Sequence, residues 1–159
     1  MAKRKKIHRH ILKPEDLSNE TGYVLTGIQS SQPLYKLAYD FNRLFSWDLQ
    51  LQDDLKVIRK NKEVFFENYA TSENAIGQKI RLINNEILIP IAHPNTLFDT
   101  HEAYYLFSKL PALNYILMLP EDETANYKSI QQNFQVSYPV KFIEVDMTQC
   151  GTAFPVFPV

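Results

Sequence analysis

The chain has 159 residues, of which 45% are apolar and 22% charged, and these proportions are typical of one globular domain. Its single cysteine, Cys150, excludes an intrachain disulfide and favours a reducing compartment. The basic start lacks the apolar core of a signal peptide, and no apolar run approaches the ~18 residues of a membrane span. We therefore expect a cytoplasmic protein that does not enter a membrane.

The net charge of −1 conceals an uneven distribution. Residues 1–13 hold six of the 17 Lys and Arg and no acidic residue, whereas the other 11 accompany all 18 Asp and Glu, a net charge of −7. We expect a flexible basic tail over residues 1–20, a single domain over residues 21–149 and an apolar, proline-rich tail over residues 150–159.

A strand and a helix are predicted first. The β-favouring run Tyr23–Ile28 predicts the strand, and the turn Gln29–Gln32 offers hydroxyl caps before Pro33, which suits a first helical turn. An apolar stripe with a period near 3.6 residues then predicts the helix. Its members are Leu34, Leu37, Ala38, Phe41, Leu44 and Phe45.

The middle of the chain predicts strands joined by polar turns. Trp47, Leu49 and Leu51 alternate with polar residues, a pattern typical of a half-buried strand. Further strands are predicted for Val64–Tyr69, Lys79–Ile83 and Ile87–Ile91. The segment His93–Thr100 is predicted to be a loop, and Glu102–Lys109 a short helix that ends before Pro111.

The last third of the chain predicts a strand, a helix and a strand. Leu113–Leu119 is almost wholly apolar, which favours a central strand covered on both faces. Asp122 is the expected cap of a second helix with Phe134 on its apolar face, and Val140–Val145 is the last strand. The sequence therefore predicts an α+β domain: a mainly antiparallel sheet with helices packed on one face, ferredoxin-like or ACT-like with an extra hairpin.

Three groups of residues carry a resemblance to a known family. They are Gly22–Ser30, Tyr35–Asn42 leading to Asp53–Leu55, and Leu113–Leu117. Together they resemble the bacterial IPExxxVDY family of small proteins over roughly residues 22–146. Leu113-Asn114-Tyr115 stands where that family has Val-Asp-Tyr, and Phe107-Ser108-Lys109 where it has Ile-Pro-Glu. The resemblance implies no assigned biochemical function and no catalytic residues.

The basic tail is a candidate nucleic-acid-binding segment, because clustered cations neutralise phosphates and release counterions. Its candidate residues are Lys3, Arg4, Lys5, Lys6 and Arg9. A solubilising tail, or one that folds back on the acidic body, explains the same charges. The strand aromatics Phe65, Phe66 and Tyr69 lack interleaved Lys and Arg, so we expect them in the core.

The apolar tail is a candidate partner-binding segment. Phe154 and Phe157 lie in a Phe-Pro-Val repeat whose prolines exclude a helix. Exposed phenylalanine is unfavourable in water, so we expect both rings to dock, either on this domain or on a partner or sister subunit.

Catalytic and metal-binding signatures are weak. His93, Asp99, His101 and Glu102 have metal-ligand chemistry, but their spacing matches no zinc motif. No G-x-S-x-G motif occurs, and Cys150 has no histidine near it in sequence. We predict no catalytic, metal or cofactor site. The acidic run at 121–123 is explained by a helix N-terminus, and the turn at 29–32 either caps a helix or binds an anion.

The leading hypothesis is a non-catalytic cytoplasmic binding or adaptor domain, with a homodimer or a protein partner contacted through a sheet edge or the apolar tail. The alternative is an RNA- or ribosome-associated protein that uses the basic tail. An enzyme of unrecognised type is a third hypothesis.

Overall fold

The computed structural model describes residues 22–92, 97–98, 100–124, 128–129, 131–132, 134 and 140–145. Its strands are β1 Tyr23–Gln29, β2 Gln50–Leu51, β3 Leu55–Arg59, β4 Lys62–Phe66, β5 Asn68–Ala70, β6 Arg81–Asn84, β7 Glu86–Ile91, β8 Thr100–Tyr105, β9 Tyr115–Pro120 and β10 Lys141–Glu144. The helix α1 spans Leu34–Phe45, and a short 3₁₀ helix spans Glu121–Glu123.

Six strands form one antiparallel sheet in the order β10-β1-β9-β6-β5-β2. The remaining strands form two separate hairpins, β3–β4 and β7–β8. The α+β class and the mainly antiparallel sheet are therefore confirmed. The ferredoxin-like or ACT-like assignment stays a prediction, and the sheet carries two hairpins where the sequence predicted one.

β9 lies at the centre of this sheet, between β1 and β6, and is buried on both faces. Leu117 and Leu119 point to the face covered by α1, while Ile116 and Met118 point to the face covered by the hairpins. The strict alternation of a strand places successive side chains on opposite faces. The predicted central strand is confirmed. Its apolar residues belong to two hydrophobic cores, one on each face of the sheet.

On the helical face, α1 packs through the predicted apolar stripe. Leu34, Leu37, Ala38 and Phe41 are buried, and the Phe41 ring centroid lies 5.0 Å from that of Phe134. Leu44 is the exception, because it is 46% exposed. Helical packing on one face of the sheet agrees with the sequence prediction.

The hydroxyl cap predicted for α1 is wrong. Pro33 occupies the N-cap position, and its carbonyl oxygen accepts hydrogen bonds from the amides of Lys36 (3.1 Å) and Leu37 (3.2 Å). The Ser30 hydroxyl instead accepts the Gln32 amide at 3.1 Å within the preceding turn. Proline suits this position because its φ of −66° is already set for entry into the helix.

On the other face, the hairpin β3–β4 covers the sheet with alternate residues. Leu55, Val57, Val64 and Phe66 are buried against the sheet core. The single strand predicted for Val64–Tyr69 is wrong, because the chain leaves the hairpin after Phe66 and joins the main sheet as β5. The prediction also omitted β3.

The prediction of a short helix over Glu102–Lys109 is also wrong. Its first part belongs to β8, in which Tyr104 lies opposite Ile87 of β7 and is buried in the hairpin-side core. Aromatic residues favour strands, and a run this short satisfies helical and extended spacings equally well. The pairing with the apolar strand β7 decides the outcome.

The buried residue Asn85 lies between β6 and β7 and binds the connection between β8 and β9. Asn85 Nδ2 donates to the carbonyls of Leu110 (3.0 Å) and Leu113 (2.8 Å), and Asn85 Oδ1 accepts the Phe107 amide at 2.9 Å. The Asn85 amide itself donates to the Asn114 carbonyl at 2.8 Å. One side chain therefore satisfies three backbone groups that would otherwise be costly to bury.

Candidate binding surface

The outer side of the hairpin β3–β4 carries an unusual group of four exposed residues, which we call the hairpin face. Its members are Lys56, Ile58, Glu63 and Phe65. Ile58 is 57% exposed and Phe65 is 45% exposed, although their strand neighbours are buried. Phe65 and Phe66 were both predicted to lie in the core; Phe66 is buried, but the prediction is wrong for Phe65, which lies on the outer side.

The hairpin face has a regular arrangement. The register sets Lys56 opposite Phe65 and Ile58 opposite Glu63, so the two apolar residues lie on one diagonal and the two charges on the other. The Lys56 ammonium and the Glu63 carboxylate form an ion pair along their diagonal. Cross-strand neighbours on one face interact in this way in antiparallel sheets.

The hairpin turn gives this face a fixed position. Lys60 and Asn61 occupy left-handed conformations, with φ of 49° and 61°, as expected in a tight two-residue hairpin turn. Just before the turn, the Arg59 guanidinium donates to the carbonyls of Leu106 (2.7 Å) and Tyr105 (3.4 Å). Partial burial lowers the pKa of Arg59 from its ordinary value.

An ionic cluster joins the same turn to β8. Glu102 accepts a hydrogen bond from Lys60 Nζ at 2.8 Å and from the Tyr104 hydroxyl at 2.6 Å, and Lys62 Nζ lies 3.7 Å away. The hydrogen bond from Lys60, followed by that from Tyr104, lowers the pKa of Glu102 from 4.5 to about 2. The same contact raises the pKa of Lys60. We call these four residues the Glu102 cluster.

Other exposed apolar residues are scattered over several elements. They are Tyr35, Tyr39 and Leu44 on α1, Leu51 on β2, Leu88 on β7, and Ile76, Leu97 and Phe98 in loops. The hairpin face differs from these because two exposed apolar residues lie together on one strand pair, with the Lys56–Glu63 ion pair between them. Sites on paired strands hold their geometry better than sites on loops.

Several sequence candidates lie outside the described residues. They are the basic residues Lys3, Arg4, Lys5, Lys6 and Arg9, the apolar-tail residues Phe154 and Phe157, and Cys150. The two predicted tails, and with them the domain boundaries at 20 and 150, lie outside the described part of the chain for the same reason.

The four metal-ligand candidates are only partly described. His101 and Glu102 are adjacent on β8 and therefore point to opposite faces of the hairpin, and Glu102 is engaged by Lys60 and Tyr104. His93 and Asp99 lie outside the described residues. Where side chains are described, His, Cys, Asp and Glu do not gather in groups of three suited to a metal ion.

The acidic run Glu121–Glu123 forms the 3₁₀ turn after β9.

The turn Gln29–Gln32 is engaged by the connection that precedes β9. The Asn114 side chain accepts the Ser30 amide at 2.9 Å, the Tyr115 hydroxyl donates to the Gln32 carbonyl at 2.5 Å, and Gln29 donates to the Ala112 carbonyl at 3.1 Å. These groups hold the start of α1 against the end of the sheet. Burial of the hydroxyl raises the pKa of Tyr115.

The hairpin face was missed by sequence reasoning, although a signal for it exists. Leu55-Lys56-Val57 alternates between apolar and polar residues, and Asn61 is well suited to a left-handed turn position. The signal is weakened because the outer residues include Ile58 and Phe65, which fill the polar positions of an ordinary half-buried hairpin.

Comparison of the chain with family models, with curated proteins and with solved structures gives no match in any of the three. Among the residues that the structure describes, the helices are too short or too polar to cross a membrane.

We predict that the Glu102 cluster stabilises the fold in a pH-dependent way. Because the pKa of Glu102 is about 2 in the folded chain and 4.5 ordinarily, its stabilising effect is complete above about pH 5 and is lost as the pH falls toward 2. The free-energy difference between wild type and Glu102→Gln, measured by urea unfolding, should therefore shrink over that range. A difference that is constant from pH 7 to pH 2 contradicts this role.

Proposed function

We propose that this protein is a non-catalytic cytoplasmic binding domain, and that it contacts its partner through the hairpin face. The observation that carries the proposal is the exposure of Ile58 and Phe65 on a strand pair whose opposite side is buried in the core. Full burial of such side chains stabilises a contact by ~1.5–3 kcal/mol each, so covering their exposed halves contributes roughly half of that.

The surroundings of the two apolar residues fit an interface. The Lys56–Glu63 ion pair crosses between Ile58 and Phe65, which makes a mixed polar and apolar patch, and non-obligate interfaces as a whole are about as polar as the rest of a protein surface. The Glu102 cluster and Arg59 already hold the hairpin against β8. A surface that is ordered before binding loses less conformational entropy when a partner covers it.

The resemblance to the IPExxxVDY family remains part of this proposal, and it agrees with a protein to which no catalytic residues are assigned. Phe154 and Phe157 are proposed as a second contact, in which the extended apolar tail adds to the interface.

We predict that capture of partner proteins depends on the hairpin face. Tagged wild type and the variants Phe65→Ser and Ile76→Ser are used to recover proteins from the native cytoplasm. Ile76 is 74% exposed in a loop and is the matched control, because it loses a similar apolar area elsewhere. Proteins recovered by wild type and Ile76→Ser should be reduced at least about fivefold with Phe65→Ser, a change worth about 1 kcal/mol. Equal recovery by all three, together with unchanged self-association of Phe65→Ser, contradicts the proposal.

A second proposal rests on the charge distribution: the basic residues Lys3, Arg4, Lys5, Lys6 and Arg9 bind RNA, as clustered cations do. Binding to a single-stranded RNA should weaken steeply with salt, and replacement of Lys3–Lys6 by Ser should abolish it. Fluorescence anisotropy measures both effects. RNA binding that survives the replacement, or none at low salt, contradicts this second proposal.

A further inference from the structure

The pattern of the hairpin face is complementary to itself. Its four residues occupy the corners of a rectangle, with Ile58 and Phe65 on one diagonal and Lys56 and Glu63 on the other. A two-fold axis along the apolar diagonal places each apolar residue over its own copy and brings each charge near the opposite charge of the partner, because the sides of the rectangle are similar in length, roughly 5 Å across the strands and 7 Å along them. Two copies placed face to face about this axis bring Ile58 against Ile58, Phe65 against Phe65, and Lys56 against Glu63 of the partner subunit.

We propose that the partner of the hairpin face is a second copy of this chain, in a two-fold symmetric dimer. The inference rests on the proposed binding function of the hairpin face and names the partner. Closed two-fold dimers are the commonest assemblies of identical chains, and their interfaces require a patch that complements itself. The alternation of two apolar and two opposite charged residues meets that requirement.

The arrangement also satisfies the charges that it covers. Lys56 and Glu63 already neutralise each other within one chain. In the dimer the two pairs form a ring of four alternating charges, so neither sign is left unpaired at the contact. The same mapping crosses the two hairpins at a large angle, as in orthogonal packing of sheets.

The dimer is a weak one. A patch built on four residues covers much less than the ~800 Å² per partner of a standard interface. We therefore expect association at protein concentrations of roughly 0.1–1 mM, as for small transient interfaces. Sedimentation velocity over a concentration series measures it.

The test reverses one charge at a time and then mixes the variants. Lys56→Glu makes the face doubly acidic and Glu63→Lys makes it doubly basic, so each variant alone repels its own copy at both charge contacts. Each should associate at least about tenfold more weakly than wild type. An equimolar mixture of the two restores both attractive contacts, and its association should return to within about threefold of wild type.

The controls separate this interface from general charge effects. Glu73 and Lys79 form another surface ion pair, at 3.7 Å, and the variants Lys79→Glu and Glu73→Lys, alone or mixed, should associate like wild type. Phe65→Ser should lose association. Thermal unfolding checks that each variant is folded, and only folded variants are compared; an exposed ion pair contributes at most ~1 kcal/mol, so the charge variants should pass.

Two results overturn the self-association. One is a wild type that stays monomeric up to about 1 mM, the upper end of the expected range. The other is a mixture of Lys56→Glu and Glu63→Lys that associates no better than either variant alone. Either result is combined with the capture experiment. If Phe65→Ser recovers fewer proteins from the cytoplasm than wild type does, the hairpin face binds a different partner, and the proposed function stands without the dimer.

Discussion

The two-sided apolar character of β9 is the constraint on which the rest of the fold depends. Ile116 and Met118 on one face and Leu117 and Leu119 on the other are all buried, so the central strand demands cover on both sides of the sheet. α1 and Phe134 supply one cover. The hairpins β3–β4 and β7–β8 supply the other, and their outer sides become new surface.

The covering hairpins are fixed at two points by polar contacts. Asn85 binds the backbone around Phe107, Leu110 and Leu113 and so holds the connection between β8 and β9. Arg59, beside the β3–β4 turn, binds the carbonyls of Tyr105 and Leu106 close to Asn85, and the Glu102 cluster joins the same turn to the middle of β8. Buried asparagine with all its hydrogen bonds made specifies one arrangement of the chain, because any other leaves polar groups unpaired.

The hairpin face is thus a consequence of the way the sheet is covered. The inner side of the hairpin β3–β4 is buried in the core through Val64 and Phe66, and the outer side of the same hairpin exposes Ile58 and Phe65. A strand in this position ordinarily carries polar residues outward. The departure from that rule is the physical ground on which a binding role is proposed for these residues.

Much of the fold was predictable from periodicity. The stripe that begins at Leu34 identified α1, and the continuous apolar run at 113–119 identified the central strand. Local patterns failed where tertiary pairing decided the structure, as in Tyr104, which a helical spacing also accommodates. They failed again at Glu67, where the chain passes from a hairpin to the main sheet without a turn signal.

The candidate surface was the least predictable feature, for a related reason. Phe65 and Phe66 are adjacent aromatic residues, and only the register of β3 with β4 decides which of them is buried. A shift of one residue exchanges the two faces of a strand. Since β3 was not recognised from its weak alternation, the register that assigns Phe65 to the surface was not predicted either.

A concentration series of amide nitrogen–proton NMR spectra tests, residue by residue, whether copies of this chain meet at the hairpin face. On dilution, we expect chemical shifts to change at Lys56, Ile58, Glu63 and Phe65 and to stay constant at Tyr35 and Tyr39, which are also exposed but lie on α1. Shifts that change on α1 and not on the hairpin, or spectra that do not depend on concentration, would contradict this expectation.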